Sequence, residues 1–192
     1  MGIPFERLGW LFARWGHRVY PKWAKSAFEQ WLDQLPPGSQ VIDLGGGTGV
    51  LTNWALSRRD DLEYMVVDVA PGMMAHAPAD ANKLVASAEE LPFADASIDA
   101  VMMGEALHHF AKSGQALREL ARVLRGGGQL WIYDFDPKRG VGRWVYWGER
   151  MLGEPASFYR PGELKLRLHE LGFDSEYECR KGQYVLTAVR LA

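Results

Sequence analysis

The stretch Val41-Ile42-Asp43-Leu44-Gly45-Gly46-Gly47-Thr48-Gly49 constrains this chain more than any other. A short apolar run carries an acid near its end, five residues with four glycines follow, and Val50–Leu56 then reads as a helix. Strand, glycine turn and helix is the layout of a nucleotide-type cofactor site at the carboxyl end of a parallel strand. Each missing Cβ lets the backbone turn sharply and lets a ligand lie against the main chain. The spacing then narrows the ligand. A dinucleotide fingerprint wants a glycine at the sixth position, where close helix–strand packing needs it, but Val50 and Thr52 stand there. A P-loop wants Gly-Lys-Ser/Thr after its glycines, and the loop has no lysine. The pattern that remains is Asp43-x-Gly45-x-Gly47-x-Gly49. An acid two residues ahead of the first glycine suits a ligand with positive charge and no phosphate.

The rest of the chain supplies a frame for that loop. Residues 4–35 read as two helices broken near Tyr20-Pro21, the second with Trp23, Ala27, Phe28 and Trp31 on one face. Leu35-Pro36-Pro37-Gly38 ends it. Strands are expected at Val41–Leu44, Leu62–Asp68, Lys83–Ala86, Ile98–Met103 and Gln129–Tyr133. A helix with Leu117, Leu120, Ala121 and Leu124 in its stripe should end at Gly126-Gly127-Gly128. Residues 137–160 show no regular pattern. A last helix over Pro161–Leu171 precedes a hairpin of Phe173–Cys179 and Gln183–Leu191. Alternating strands and helices argue for one α/β domain over residues 1–192: a Rossmann-like, mostly parallel sheet with helices on both faces and a C-terminal antiparallel hairpin.

Composition excludes several classes. The 192 residues are the size of one domain, and a net charge of −2 gives no general attraction to nucleic acid or anionic surfaces. The single cysteine, Cys179, excludes an internal disulfide and a multi-cysteine zinc site; no metal site is expected. It fits a reducing cytoplasm and reads as a small apolar strand residue. No apolar run approaches the ~20 residues that span a bilayer, and Glu6, Arg7, Arg14 and Arg18 interrupt every signal-like segment.

With these residues in hand, the chain resembles a class I S-adenosyl-L-methionine (SAM)-dependent methyltransferase, of the small-molecule group that includes ubiquinone- and menaquinone-biosynthesis enzymes. The resemblance covers about residues 39–135. It rests on the glycine loop, on Val66-Val67-Asp68-Val69-Ala70-Pro71-Gly72-Met73-Met74, and on Ala88-Glu89-Glu90-Leu91-Pro92-Phe93. Ile98-Asp99-Ala100-Val101 with Leu107-His108-His109-Phe110 and Val123-Leu124-Arg125-Gly126-Gly127-Gly128 complete it. The resemblance implies a seven-stranded sheet with strand seven antiparallel beside strand five. It implies SAM held by Gly45, Gly46, Gly47 and Gly49 under the methionine part, with Asp43 near the ammonium and Asp68 and Val69 at the ribose. Ala88 and Glu89 would lie at the adenine, Gly104 would offer a carbonyl to the ammonium, and Tyr20 would close over the methionine end. Ser87 stands where the family usually has an aspartate on the adenine amino group, a weaker acceptor.

The acceptor is less legible. His108 and His109, just past the fourth strand, are the candidate general bases; a structural or gating role competes, since the Leu-His-His pattern accompanies different substrates. Glu105 is a similar case, a candidate for catalysis with a helix-start role competing. The chain has Gly104-Glu105-Ala106-Leu107 where base amino-methyltransferases carry (Asp/Asn)-Pro-Pro-(Tyr/Phe), so a nucleic-acid acceptor is not expected. Aromatics on the N-terminal helices (Phe5, Trp10, Phe12, Trp15, Tyr20) and in the insert (Trp144, Tyr146, Trp147, Phe158, Tyr159) interleave with Arg14, Arg18, Arg139, Arg143 and Arg150. The resemblance implies that these segments, residues 1–38 and 137–160, cover the site as a lid, whose aromatics either form an apolar acceptor pocket, touch a membrane surface, or pack onto the sheet. The expected partner is a small, apolar or lipid-like acceptor. Two other readings stay open: a SAM-binding protein without catalysis, and a dinucleotide-dependent oxidoreductase.

Overall fold

The computed structural model describes residues 20–152 and 157–192. The N-terminal helix expected before Tyr20, with the first half of the predicted N-terminal lid, lies outside the described residues.

Helix α1 (Lys22–Leu32) starts after Pro21 and buries Ala24, Phe28, Trp31 and Leu32; of the face that the spacing marks, Phe28 and Trp31 are buried and Trp23 and Ala27 are half-buried at its edge. Strand β1 (Gln40–Leu44), helix α2 (Val50–Arg58), strand β2 (Glu63–Asp68) and the short α3 (Pro71–Met74) follow. Then come β3 (Asn82–Val85), β4 (Ile98–Gly104), a 3₁₀ turn at Leu107–His109 and α4 (Ser113–Val123). The chain ends with β5 (Leu124–Phe135), α5 (Gly140–Leu152), α6 (Pro161–Glu170), β6 (Phe173–Arg180) and β7 (Gln183–Arg190).

The sheet has seven strands in the order β3-β2-β1-β4-β5-β7-β6. The β1–β2, β1–β4, β2–β3 and β4–β5 pairs are parallel, and β7 pairs antiparallel with both β5 and β6. Chain order reverses between β1 and β4, so a crevice opens there at the carboxyl ends of the strands. The glycine loop leaves β1 into that crevice.

Helices cover both faces. On one, α4 and α6 pack Leu117, Leu120, Leu164 and Leu168 against Val101, Met103, Leu130 and Ile132. On the other, α1 and α2 pack Phe28, Trp31, Leu51 and Ala55 against Val41, Met102, Trp131 and Tyr133. Phe28 meets Trp131 edge-on at 4.9 Å and lies on Trp31 at 5.9 Å. Burying each such ring contributes about 1.5–3 kcal/mol. Part of the tryptophan cluster is therefore core. Trp144 and Trp147 on α5 are not: they are 72% and 55% exposed.

Two expectations change. The triple glycine does not merely stop α4; Gly126–Gly128 lies inside β5, whose pairing with β4 shifts register between Ile98 and Ala100. Most of the 137–160 insert is a helix rather than irregular chain. Its glycines conceal it, and tertiary packing explains two of them. A Cβ on Gly140 would lie 2.1 Å from the Lys181 carbonyl oxygen, and one on Gly142 would lie 2.3 Å from that of Asp136. The start of α5 is thus docked on the β6–β7 hairpin, where Val141 N–H donates to the Lys181 carbonyl at 3.1 Å.

Candidate active site

The crevice at the β1/β4 switch is a cavity of about 520 Å³. Its floor is the glycine loop. Gly45, Gly47 and Gly49 all adopt left-handed backbone, with φ of 68°, 51° and 69°, which side chains resist. Gly46 is required for another reason: a Cβ there would come within 2.6 Å of the Asp43 carboxyl carbon. The loop is pinned from both sides. Gly47 N–H donates to Asp68 Oδ2 at 2.9 Å, and Gly45 N–H to the Val67 carbonyl at 2.8 Å.

Asp43 borders the cavity but is otherwise buried, and Thr52 on α2 engages it. Its Oδ2 accepts from the Thr52 hydroxyl at 2.7 Å and from the Thr52 amide at 3.3 Å. Burial pushes its pKa up to about 6 against the effect of those hydrogen bonds. Asp68, at the end of β2, also accepts from Ala70 N–H through Oδ1 at 2.9 Å. Val69, Ala88 and Glu89 continue the wall. Tyr20 closes the other end: its hydroxyl lies so close to Gly104 that a Cβ there would approach it to 2.1 Å. The ring packs on Trp54 and Tyr133 at centroid distances of 5.1 and 4.9 Å.

Three predicted residues stand back from the cavity. Gly49 caps the N-terminus of α2 and borders a neighbouring depression with Lys22 and Lys25. The Ser87 hydroxyl donates to the Glu89 carboxylate and accepts from the Glu89 amide at 3.2 Å. His108 is buried between two acids, with Nδ1 at 2.6 Å from Asp134 and Nε2 at 3.2 Å from Glu149. Despite its burial, those carboxylates push its pKa up to about 10. His109 does line the cavity, beside Phe110.

Of the two roles open to Glu105, the structure removes the helix start. The 3₁₀ turn begins at Leu107 with no side-chain cap, and Glu105 sits in left-handed backbone at φ 55°. Its amide donates to the Tyr133 carbonyl at 2.8 Å, and its carboxyl lines the cavity with Oε1 buried and without a hydrogen-bond partner among the described residues. Burial pushes its pKa up to about 8, against the nearby His108. A non-glycine residue held in this conformation beside a cleft is the kind of strain found at working sites. Sequence reasoning missed Asp134 and Glu149, because only the register of β5 and the seating of α5 bring them to His108.

The wall therefore carries four carboxyl side chains, Asp43, Asp68, Glu89 and Glu105, and among the described residues no lysine or arginine. A pyrophosphate would meet repulsion here rather than the cations it needs. A cationic ligand with a ribose and no phosphate fits, and SAM has that chemistry.

Comparison with known proteins agrees with the geometry. The sequence profile described as "Methyltransferase domain" matches residues 42–132. The demethylmenaquinone methyltransferase of Thermus thermophilus is 35% identical over 123 residues, which cover 60% of this chain and 55% of that protein. The malonyl-[acyl-carrier protein] O-methyltransferase of Methylococcus capsulatus is 37% identical over 101 residues, 50% of this chain and 37% of that protein. The chain thus spans about half or less of the length of these relatives. A SAM-dependent methyltransferase structure from Thermotoga maritima superposes with a TM-score of 0.77 at 23% identity, covering 97% of this chain and 98% of its own, which shows the shared fold. Residues 42–132, from the glycine-loop strand into β5, match the methyltransferase domain family.

Proposed function

We propose that this protein binds SAM and transfers its methyl group to a small, hydrophobic acceptor. The observation that carries the reading is the acidic lining of the cavity: Asp43, Asp68 and Glu89, beside a Glu105 that burial keeps protonated near neutral pH, with no lysine or arginine among the described residues around a glycine cradle. SAM supplies a methyl group already activated by a sulfonium, so the protein's task is alignment and exclusion of water. In this reading Gly45, Gly46 and Gly47 lie under the methionine part, Asp43 provides negative potential behind them, and Asp68 takes the ribose. Ala88 and Glu89 border the adenine. Tyr20 and Gly104 close the methionine end.

Where the acceptor must lose a proton, the groups that face the cavity are His109 and Glu105. His108, held on both ring nitrogens, serves as a positioning residue. Apolar lining from Val69, Met73, Ala106 and Phe110 supports a hydrophobic acceptor. So does the menaquinone-type acceptor named for the Thermus thermophilus relative. Among the described residues the cavity lining carries no lysine or arginine for the phosphates of a nucleic-acid acceptor.

Calorimetry with SAM, S-adenosylhomocysteine and NAD tests the cofactor, and methyl transfer from labelled SAM to a panel of quinols, phenols, fatty acids and polar amines tests the acceptor. The reading expects binding of SAM and S-adenosylhomocysteine but not NAD, and labelling of apolar acceptors. Binding of NAD alone would return the protein to the oxidoreductases. SAM binding with no acceptor turned over would point to a binding protein, and preference for a polar amine would overturn the hydrophobic acceptor.

A further inference from the structure

Behind the cavity wall the fold assembles a second group of chemically capable side chains. His108 and His109 come from the 3₁₀ turn after β4, and Glu149 comes from α5, far along the chain. One ligand-capable atom from each of the three lies within 4.8 Å of the others. His108 Nε2 and Glu149 Oε1 are already 3.2 Å apart, a spacing that two ligands of one ion can share.

We propose that His108, His109 and Glu149 bind one divalent transition-metal ion in the wall between α5 and the cavity. Four observations support the site beyond the grouping itself. First, His108 has the partner that metal-bound histidines characteristically have. Its Nδ1 faces Asp134 Oδ1 at 2.6 Å, and that oxygen also accepts from the Phe135 amide at 2.8 Å, so the carboxylate is fixed. With Nδ1–H donating to Asp134, the Nε2 lone pair points toward Glu149 and is available to a metal.

Second, the ring is held in place. Phe158 stacks on it at 4.3 Å and 11°, and Ser157 N–H donates to the His108 carbonyl at 3.0 Å. Third, Glu149 Oε2 is buried with no hydrogen-bond partner among the described residues. Neither Asp134 nor Glu149 pairs with a lysine or arginine among them, so His108 alone stands between the two carboxylates. Fourth, His109 borders the cavity, which puts the cluster at its wall rather than in a closed core.

Two imidazoles and one carboxylate suit zinc, manganese or ferrous iron, and suit magnesium and calcium poorly. Three protein ligands also leave room for a water or an acceptor oxygen, as open metal sites do. The competing occupant is a proton. An imidazolium at His108 donating to both carboxylates satisfies the same distances, but it would not recruit His109.

The test uses the full chain, stripped with a chelator and dialysed. Zn²⁺ titration followed by calorimetry should give about one equivalent bound with micromolar affinity or tighter. Co²⁺ should give visible d–d absorption that Zn²⁺ abolishes. Glu149→Gln and His109→Asn should each weaken Zn²⁺ binding at least about 10-fold, and Asp134→Asn by about 10- to 100-fold. No Zn²⁺ or Co²⁺ bound at millimolar concentration would overturn the proposal and leave the proton as occupant. So would binding that neither Glu149→Gln nor His109→Asn alters, which would place the ion elsewhere, and so would Mg²⁺ binding as tightly as Zn²⁺. Because wild-type titration alone can fail, the test does not depend on every variant folding. It also requires no methyl transfer, so it is independent of the proposed reaction.

Discussion

Thr52 holds Asp43 in place: the acid accepts from its hydroxyl at 2.7 Å and from its amide at 3.3 Å, at a point where the carboxyl is 1% exposed. The acid that makes the glycine loop distinctive therefore anchors β1 to α2 as well as facing the cavity. Its burial has a measurable consequence. Asp43 rises from 3.8 to about 6 in the folded protein, which corresponds to roughly 3 kcal/mol. A raised carboxyl favours folding only while protonated, so the benefit is complete below 3.8 and is lost as pH rises through about 6.

Asp43→Asn should consequently raise the melting temperature of the ligand-free protein at pH 8. The gain should be about 2–4 °C per kcal/mol relieved, and it should vanish near pH 4. The same change should weaken SAM binding about 10-fold, because a cationic ligand benefits from the ionised acid. Scanning calorimetry across pH, paired with a binding isotherm, checks both. A variant without a melting gain at pH 8 would mean that Asp43 is not strained by burial.

Gly104 and Tyr20 form a tight closure. Since a Cβ on Gly104 would meet the Tyr20 hydroxyl at 2.1 Å and Leu51 at 2.9 Å, Gly104→Ala should displace Tyr20. We expect a stability loss of about 1–3 kcal/mol from overpacking and a larger loss of SAM affinity than Tyr20→Phe produces. Tyr20→Phe removes only the hydroxyl and should weaken binding modestly. Equal affinities in wild type and Tyr20→Phe would remove Tyr20 from the methionine end.

Asp68 serves the loop before any ligand arrives, through its bond from Gly47 N–H. Asp68→Ala should cost about 1–3 kcal/mol of SAM binding, from the lost ribose acceptor and the loosened loop together. Asp68→Asn keeps an acceptor for Gly47 and should lose less. Calorimetry separates the two; identical losses would argue that the carboxylate acts on the ligand alone.

On α5, Trp144, Trp147 and Met151 share an exposed face at 72%, 55% and 86%. Replacing both tryptophans with alanine should change stability by no more than about 0.5 kcal/mol, as for surface sites generally. If this face recruits an apolar acceptor, the same double variant should raise KM for that acceptor and leave SAM affinity unchanged. A large drop in melting temperature would instead assign the tryptophans to packing.

Much of this fold can be read from local pattern. The period-three-and-four spacing of α1 is met by its buried face, and acids at the ends of apolar runs mark the β1 and β2 termini. The glycine loop is legible because left-handed backbone and close approach leave few residue choices. Helix α5 was hidden by the same logic applied too locally. Glycine weakens a helix pattern, whereas Gly140 and Gly142 are there because another part of the chain presses against them.

The sequence by itself determined the alternation of strands and helices, the glycine loop at the carboxyl end of β1 and the character of its ligand, because each rests on residues close together in the chain. Only the tertiary structure decided how the side chains divide the work. It committed Asp43 to Thr52 and brought Glu105 into the cavity on a strained backbone. It also set His108 between Asp134 and Glu149 while leaving His109 at the cavity wall. Those outcomes depend on long-range packing of β5, α5 and the hairpin, and no periodicity within a single segment records where such elements meet.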